Sequence, residues 1–151
     1  VRSLGKAMSL GLFSATQVAS SGLSAQRQRM ETAATNIANA ETTRTDEGGP
    51  YRRQQVVFST LLNGAISGGS GDALGGVQVA DVVPDDTTFP RVYSPGHPDA
   101  DAEGYVTFPN VQVSRELVDL MTAARAYEAN LKSLQVFKSM AEQSLSLLRG
   151  S

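Results

Sequence analysis

The residues best suited to chemistry lie together in the segment SPGHPDADAEGYVTFPN, residues 94–110. It holds the only histidine, His97, and three carboxylates at alternate positions, Asp99, Asp101 and Glu103. Alternating carboxylates followed by glycine open a calcium-binding EF-hand loop. Asp99, Asp101, Glu103 and Gly104 fit its positions one, three, five and six, and Val106 the apolar eighth. The twelfth position needs a bidentate glutamate and is Asn110, and Pro95 and Pro98 stand where a flanking helix is required. A single histidine without cysteine does not anchor zinc. Carboxylates beside an imidazole could exchange protons, but no nucleophile, cofactor loop or oxyanion site accompanies them at a recognisable spacing. Walker A, dinucleotide-glycine, HExxH and GxSxG patterns are all absent. The simpler reading is a run of tight turns, in which Asp99 and Asp101 accept hydrogen bonds from backbone N–H groups. Arg52–Arg53, next to Tyr51, could hold a phosphate; a solvated strand face or subunit-pairing charge is the plainer role. No enzyme, cofactor, metal or small-molecule substrate is expected.

The rest of the 151-residue chain must position this segment. Forty per cent of residues are hydrophobic but only 6% are aromatic, with no Trp, so any core is thin and built from Ala, Leu, Val and Met. The net charge of −2 excludes a strongly basic nucleic-acid binder, whose affinity comes from neutralised phosphates. It equally excludes an acidic disordered tail. The absence of Cys removes disulfides, thiolate metal sites and cysteine nucleophiles together. No run of about 18 apolar residues is present to span a bilayer. Arg2 and Lys6 ahead of Ala7–Phe13 imitate a signal peptide. That apolar stretch is short, is broken by Ser9 and Gly11, and continues in the same Ala/Ser/Gly texture to Ala40, so no cleaved signal is expected.

Proline placement divides the chain into three zones, because all six Pro fall between residues 42 and 110. In the C-terminal zone, 111–151, Val113, Leu117, Leu120, Ala124, Tyr127, Leu131, Leu134, Lys138, Ala141, Leu145 and Leu148 recur at steps of four and three. That is a heptad seam on a helix roughly 50 Å long, and Gly150 is placed to end it. The N-terminal zone, 1–41, carries a weaker seam of smaller residues: Leu12, Thr16, Ala19, Leu23, Gln26, Met30, Ala33, Ile37 and Ala40. Gly22 interrupts it at a cost of about 1 kcal/mol relative to Ala, so this helix needs a partner, and the C-terminal helix is the natural one. Val118, Met121, Val136, Phe137, Met140 and Leu147 lie off the seam and widen the apolar face beyond what a two-helix contact covers. The middle zone, 42–110, reads as short strands at 51–59, 77–83, 91–93 and 105–108, separated by turns, with a flexible Gly-rich loop at 63–76. The fold class is therefore mainly α with a small β region. Long N- and C-terminal helices pair as a coiled coil around a short β-rich, turn-rich insert.

Several segments carry a family resemblance. SGLSAQRQRMETAATNIANAETTRTDEGGPYRRQQVVF (21–58), PGHPDADAEGYVTFPNV (95–111) and ELVDLMTAARAYEANLKSLQVFKSMAEQSL (116–145) are similar to the bacterial flagellar rod and hook axial proteins, most closely their proximal-rod members. The motif positions are Asn36 and Asn39, then Pro95, His97, Pro98, Asp99, Asp101, Gly104, Tyr105, Pro109 and Asn110. The resemblance implies a structural subunit without catalysis. Its helix seams (Leu12, Leu23, Met30, Ile37; Leu117, Leu120, Tyr127, Leu131, Leu134, Leu145, Leu148) would assemble it into a helical tube that transmits torque and conducts exported subunits. Implied partners are copies of itself, other proximal and adjoining distal rod subunits, the rod–MS-ring junction protein and the flagellar type III export apparatus, with no nucleic acid. The implied location is the basal body, in a rod spanning the periplasm, reached without a cleaved signal. The competing readings are a soluble helical-hairpin adaptor and a calcium-stabilised secreted module.

Overall fold

Two long helices enclose four short strands in chain order. Helix α1 is Arg2–Ala38 and helix α2 is Val113–Arg149; strands β1 (Gln54–Thr60), β2 (Val77–Pro84), β3 (Arg91–Tyr93) and β4 (Tyr105–Thr107) lie between. The computed structural model describes residues 2–60 and 75–149, with helix side chains described at 11, 14–38 and 113–146. Most of the Gly-rich loop read at 63–76 is therefore outside the described residues, as are the side chains of Leu12 and Leu148.

Both helices are free of Pro, which would remove an internal hydrogen bond and clash with the preceding turn. At the end of α1, Asn39 donates from its backbone N–H (3.1 Å) and its side-chain amide (2.9 Å) to the Thr35 carbonyl, satisfying a terminal acceptor. The N-terminus of α2 follows Pro109, and its first turn carries Glu116, an acidic residue placed favourably against the helix dipole. Among the described residues, no helix is long and apolar enough to cross a membrane.

The strands form two small sheets, β1–β2 and β3–β4. The second is antiparallel, with Arg91 opposite Thr107, Val92 opposite Val106 and Tyr93 opposite Tyr105. The turn between them closes on Gly104, whose φ of 83° is disfavoured for other residues. A Cβ there would also lie 2.9 Å from Tyr93 Cε2 and 3.2 Å from Pro95 Cβ.

The chain resolves into two compact units. One contains Val1–Arg27, Phe58–Ala80 and Ala124–Ser151; the other contains Gln28–Val57 and Asp81–Ala123. In the first, Gly22 of α1 packs directly against Asn130 of α2. There Ser21 Oγ accepts a hydrogen bond from the Val77 N–H at 3.1 Å. In the second, α1 and α2 meet through Arg29–Asp119 and Asn36–Glu116, so their chain directions oppose. The buried apolar side chains among the described residues are small: Ala19, Ala25, Ala33, Val106, Pro109 and Ala123.

Burial on α2 follows a heptad that is offset from the most apolar one. Glu116, Leu120, Ala123, Tyr127, Asn130, Leu134, Phe137, Ala141 and Ser144 are buried or half-buried. The sequence-derived stripe shares Leu120, Tyr127, Leu134 and Ala141 with this set. Its alternate members Leu117, Leu131 and Leu145 are exposed. On α1, Leu23, Met30 and Ile37 are half-buried, while Ala25, Thr32, Ala33 and Asn36 lie deepest. The offset has a local cause: Asn36 and Glu116 are recruited inward by polar partners, described next.

Candidate assembly site

Asn36 is 1% exposed and uses the full hydrogen-bonding capacity of its amide. Its Nδ2 donates to the Gln54 carbonyl and to Glu116 Oε2, both at 2.9 Å. Its Oδ1 accepts from the Gln54 N–H at 2.9 Å and from the Tyr51 hydroxyl at 3.0 Å. One side chain thus ties α1 to the start of β1 and to the first turn of α2.

Glu116, also 1% exposed, receives the Arg53 guanidinium on its other oxygen, Nε to Oε1 at 2.6 Å. The same guanidinium reaches Asp85 Oδ2 at 3.2 Å and Asp119 Oδ2 at 3.8 Å, and Arg29 donates to Asp119 Oδ1 at 3.0 Å. Burial disfavours charge on Arg53, but the hydrogen bonds and charges of Glu116 and Asp85 outweigh it and raise its pKa. Burial pushes the Tyr51 phenol up, and the Glu116 charge adds to the rise. Asp85 is held down at about 2, first by the Thr87 backbone N–H, then by the Thr87, Gln55 and Arg53 side chains, against the opposing effect of burial. A buried ion pair gains little net stability unless every remaining polar atom is satisfied; here the surrounding donors and acceptors are matched.

Asn110 closes the network from the motif segment. Its Oδ1 accepts the Arg53 N–H at 2.8 Å, and its Nδ2 donates to the Asp85 carbonyl at 3.1 Å and Thr87 Oγ1 at 2.8 Å. The residue at the twelfth position of the EF-hand comparison is thus an amide bracing two strand ends. Arg52 donates to the Asp85 carbonyl at 2.8 Å and stacks over Phe89 at 4.3 Å, so both arginines of the pair are structural.

The rest of the motif builds the turn between β3 and β4. Asp101 Oδ1 accepts from the N–H groups of Tyr105 (2.8 Å) and Glu103 (3.0 Å), and Oδ2 meets Arg91. The Tyr105 N–H is the chief cause holding the Asp101 carboxyl below its usual range. His97 Nδ1 accepts the Asp99 N–H at 3.1 Å, and its ring meets Phe108 edge-on. Asp99 points away from the turn: Oδ2 accepts from the Thr43 hydroxyl at 2.7 Å, and Oδ1 lies 3.9 Å from Arg44. Pro95 packs on Gly104, Tyr105 lies edge-on to Tyr93, Pro109 is buried and Pro98 is exposed. Among the described residues, no three His, Asp or Glu side chains converge to hold a metal ion.

The structure thus brings Asn36 and Asn110 into one network and gathers Pro95, His97, Asp101, Gly104 and Tyr105 in another, with Asn39 capping α1. Sequence reading missed Glu116, Asp85 and Gln54 as network members. Glu116 sits beside the apolar stripe, one residue before Leu117, and a polar residue in that place is the only trace it leaves.

Outside this network, α2 presents apolar side chains to solvent. Leu117 is 46% exposed, Val118 62% and Met121 57%; Leu131, Val136, Met140 and Leu145 are exposed as well. Large apolar residues repeated along one helix are the mark of a surface that other protein covers.

Two family models match. One, described as "Flagella basal body rod protein", covers residues 17–44, and the other, "Flagellar basal body rod FlgEFG protein C-terminal", covers residues 102–147. Each contains one half of the Asn36–Glu116 contact. The chain is 42% identical to the flagellar basal-body rod protein FlgC of Borreliella burgdorferi over 93% of this chain and 100% of the relative. It is 44% identical to that of Escherichia coli over 91% and 98%. It is 42% identical to that of Bacillus subtilis over 89% and 97%. Likeness at this level, running the length of both chains and through both terminal helices, places the protein in the family of flagellar basal-body rod proteins FlgC.

Proposed function

We propose that the chain is a structural subunit of the flagellar basal-body rod, built into a helical tube through its terminal helices. The observation that carries this reading is the number of exposed large apolar side chains along α2, Leu117, Val118, Met121, Leu131, Val136, Met140 and Leu145. Such exposure is costly in an isolated chain and is relieved when neighbours cover it, at about 25 cal/mol per Å² of apolar surface. Contacts between different faces of successive copies, when they do not close a ring, propagate into an open helical assembly. The rod so formed transmits torque and conducts later subunits. Its partners are copies of this chain, the other proximal rod subunits, the adjoining distal rod and the junction with the MS ring. Delivery is by the flagellar type III export apparatus, into a rod that spans the periplasm. The role is mechanical, with no catalysis.

The test is complementation of a strain lacking its own FlgC, followed by isolation of basal bodies. Motility should return, and the chain should be recovered in the rod. Recovery of a soluble, unassembled chain in motile cells would favour the adaptor reading instead.

A further inference from the structure

We propose that the Asn36–Glu116–Arg53 network is a rotational lock, which keeps the apolar stripe at the start of α2 facing outward for contact with a second copy of this chain. The proposal rests on the rod reading for its purpose, while the lock is a property of the single chain.

The sequence of α2 offers two overlapping helical faces. One contains Glu116, Leu120, Ala123 and Tyr127; the other contains Val113, Leu117, Leu120, Ala124 and Tyr127. At about 100° per residue their centres differ by about 50° about the helix axis, with Leu120 and Tyr127 common to both. By hydrophobic burial alone the second is the better inner face, because it would bury Leu117 in place of a carboxylate. The structure adopts the first: Glu116 is 1% exposed and Ala123 fully buried, while Leu117 is left 46% exposed.

Specific polar contacts make that choice. Glu116 receives Asn36 on one oxygen and Arg53 on the other. Asn36 is itself fixed by three contacts to Tyr51 and Gln54, and Arg53 by its backbone bond to Asn110. The neighbouring residue Asp119 is held by Arg29 from α1. Turning α2 from the first face to the second would break these contacts together and strand Asn36 and Arg53. A buried polar residue that fixes register against a more apolar alternative is known in coiled coils. Here the face excluded from the interior is the one carrying Leu117, and beside it Val118 and Met121.

The chain contains no cysteine, so single introduced thiols report the rotation directly. Leu117→Cys marks the outward face and Ala123→Cys the inward face, each read by the rate of thiol modification in the isolated full-length chain. With Glu116 intact, position 117 should react fast and position 123 slowly. Adding Glu116→Ala should slow position 117 and speed position 123, each by about tenfold or more, as a population shift between two orientations requires. Glu116→Gln keeps one acceptor oxygen but turns an NH2 group toward the second donor, so it should shift both rates in the same directions by less than Glu116→Ala. Unchanged rates in Glu116→Ala would overturn the lock. So would acceleration at both positions, because that is unfolding and not rotation. In cells, Glu116→Ala should fail to enter the rod. If the unmodified chain itself never enters a rod, the rod reading fails while the labelling result still decides the lock.

Discussion

The amide of Asn130 occupies the place where a side chain on residue 22 would stand. A Cβ built on Gly22 falls 2.8 Å from Asn130 Nδ2 and 3.4 Å from its Cγ. This contact explains a glycine in the middle of a 37-residue helix, where it otherwise costs about 1 kcal/mol relative to Ala. Gly22→Ala alone should change stability little, because the gain in helix propensity is offset by pushing Asn130 out of its preferred rotamer, at a cost of about 1 kcal/mol. In an Asn130→Ala background the same change should stabilise by about 1 kcal/mol. Denaturant midpoints of the four proteins in the cycle measure the difference. Equal effects of Gly22→Ala in both backgrounds would show that the two residues do not interact.

Removing Arg53 should be among the most damaging single changes. Its guanidinium serves Glu116, Asp85 and Asp119, and Glu116 is buried. Arg53→Ala leaves that carboxylate without its cation and should cost about 3–5 kcal/mol. Arg52→Ala, which loses a carbonyl contact and a ring stack at the edge of the same region, should cost about 1–2 kcal/mol. The ordering of the two is the test: a chain more sensitive at residue 52 than at residue 53 would contradict the network.

Much of the architecture is legible in the sequence, and the limits have physical causes. The span 91–93 read from Arg91, Val92 and Tyr93 is the observed β3, because Pro90 and Pro95 bracket it closely. Both long helices follow from the confinement of Pro to the middle zone. The inner face of α2 does not follow, because periodicity locates the most apolar stripe and takes it for the buried one. Leu117 and Glu116 are adjacent, so an error of one residue exchanges interior and surface. The contact that decides between them joins residues 80 positions apart, and a side-chain hydrogen bond over that distance leaves no periodic trace. Similarly, alternating Asp99 and Asp101 imitate metal ligands, yet one binds Thr43 across the chain and the other its own turn.

Acid should weaken the fold partly through Asp85. Its pKa is lowered from 3.8 to about 2 in the folded chain. A carboxyl with a lowered folded pKa contributes stability that is complete above its unfolded value and disappears as pH falls through the folded one. The contribution should therefore be intact above about pH 4 and lost towards about pH 2, on the order of 1 kcal/mol once solvent screening is allowed for. Asp85→Asn should be less stable than the original at pH 6, and the two should converge in that acid window. Urea midpoints across it provide the check; a constant gap would assign the acid sensitivity to other carboxyls.

The β3–β4 turn should tolerate no side chain at residue 104. Gly104→Ala must hold a φ of 83° and also displace Tyr93 and Pro95. A cost of about 1–3 kcal/mol is expected from the backbone alone. The loss should be local. Amide exchange should accelerate at Ser94 and Tyr105, whose N–H groups bond to Gly104 and Asp101, and stay slow at Ala123 in α2. Uniform acceleration throughout the chain would mean that the turn is not a separable element.

Leu131 separates folding from assembly. It is 41% exposed in the single chain, midway along α2. Leu131→Asp places a charge on a surface already open to water, so the isolated chain should keep its thermal midpoint within a few degrees, as surface changes of about 0.5 kcal/mol do. In a rod the same position would be covered by a neighbour, and an unpaired buried carboxylate would cost several kcal/mol at every repeat of the contact. The variant should therefore be exported and folded yet absent from isolated basal bodies, and the cells should not swim. Leu131→Met, which keeps the volume and apolarity, should restore both. A motile strain carrying Leu131→Asp, with the variant present in its rods, would remove this face of α2 from the assembly contact.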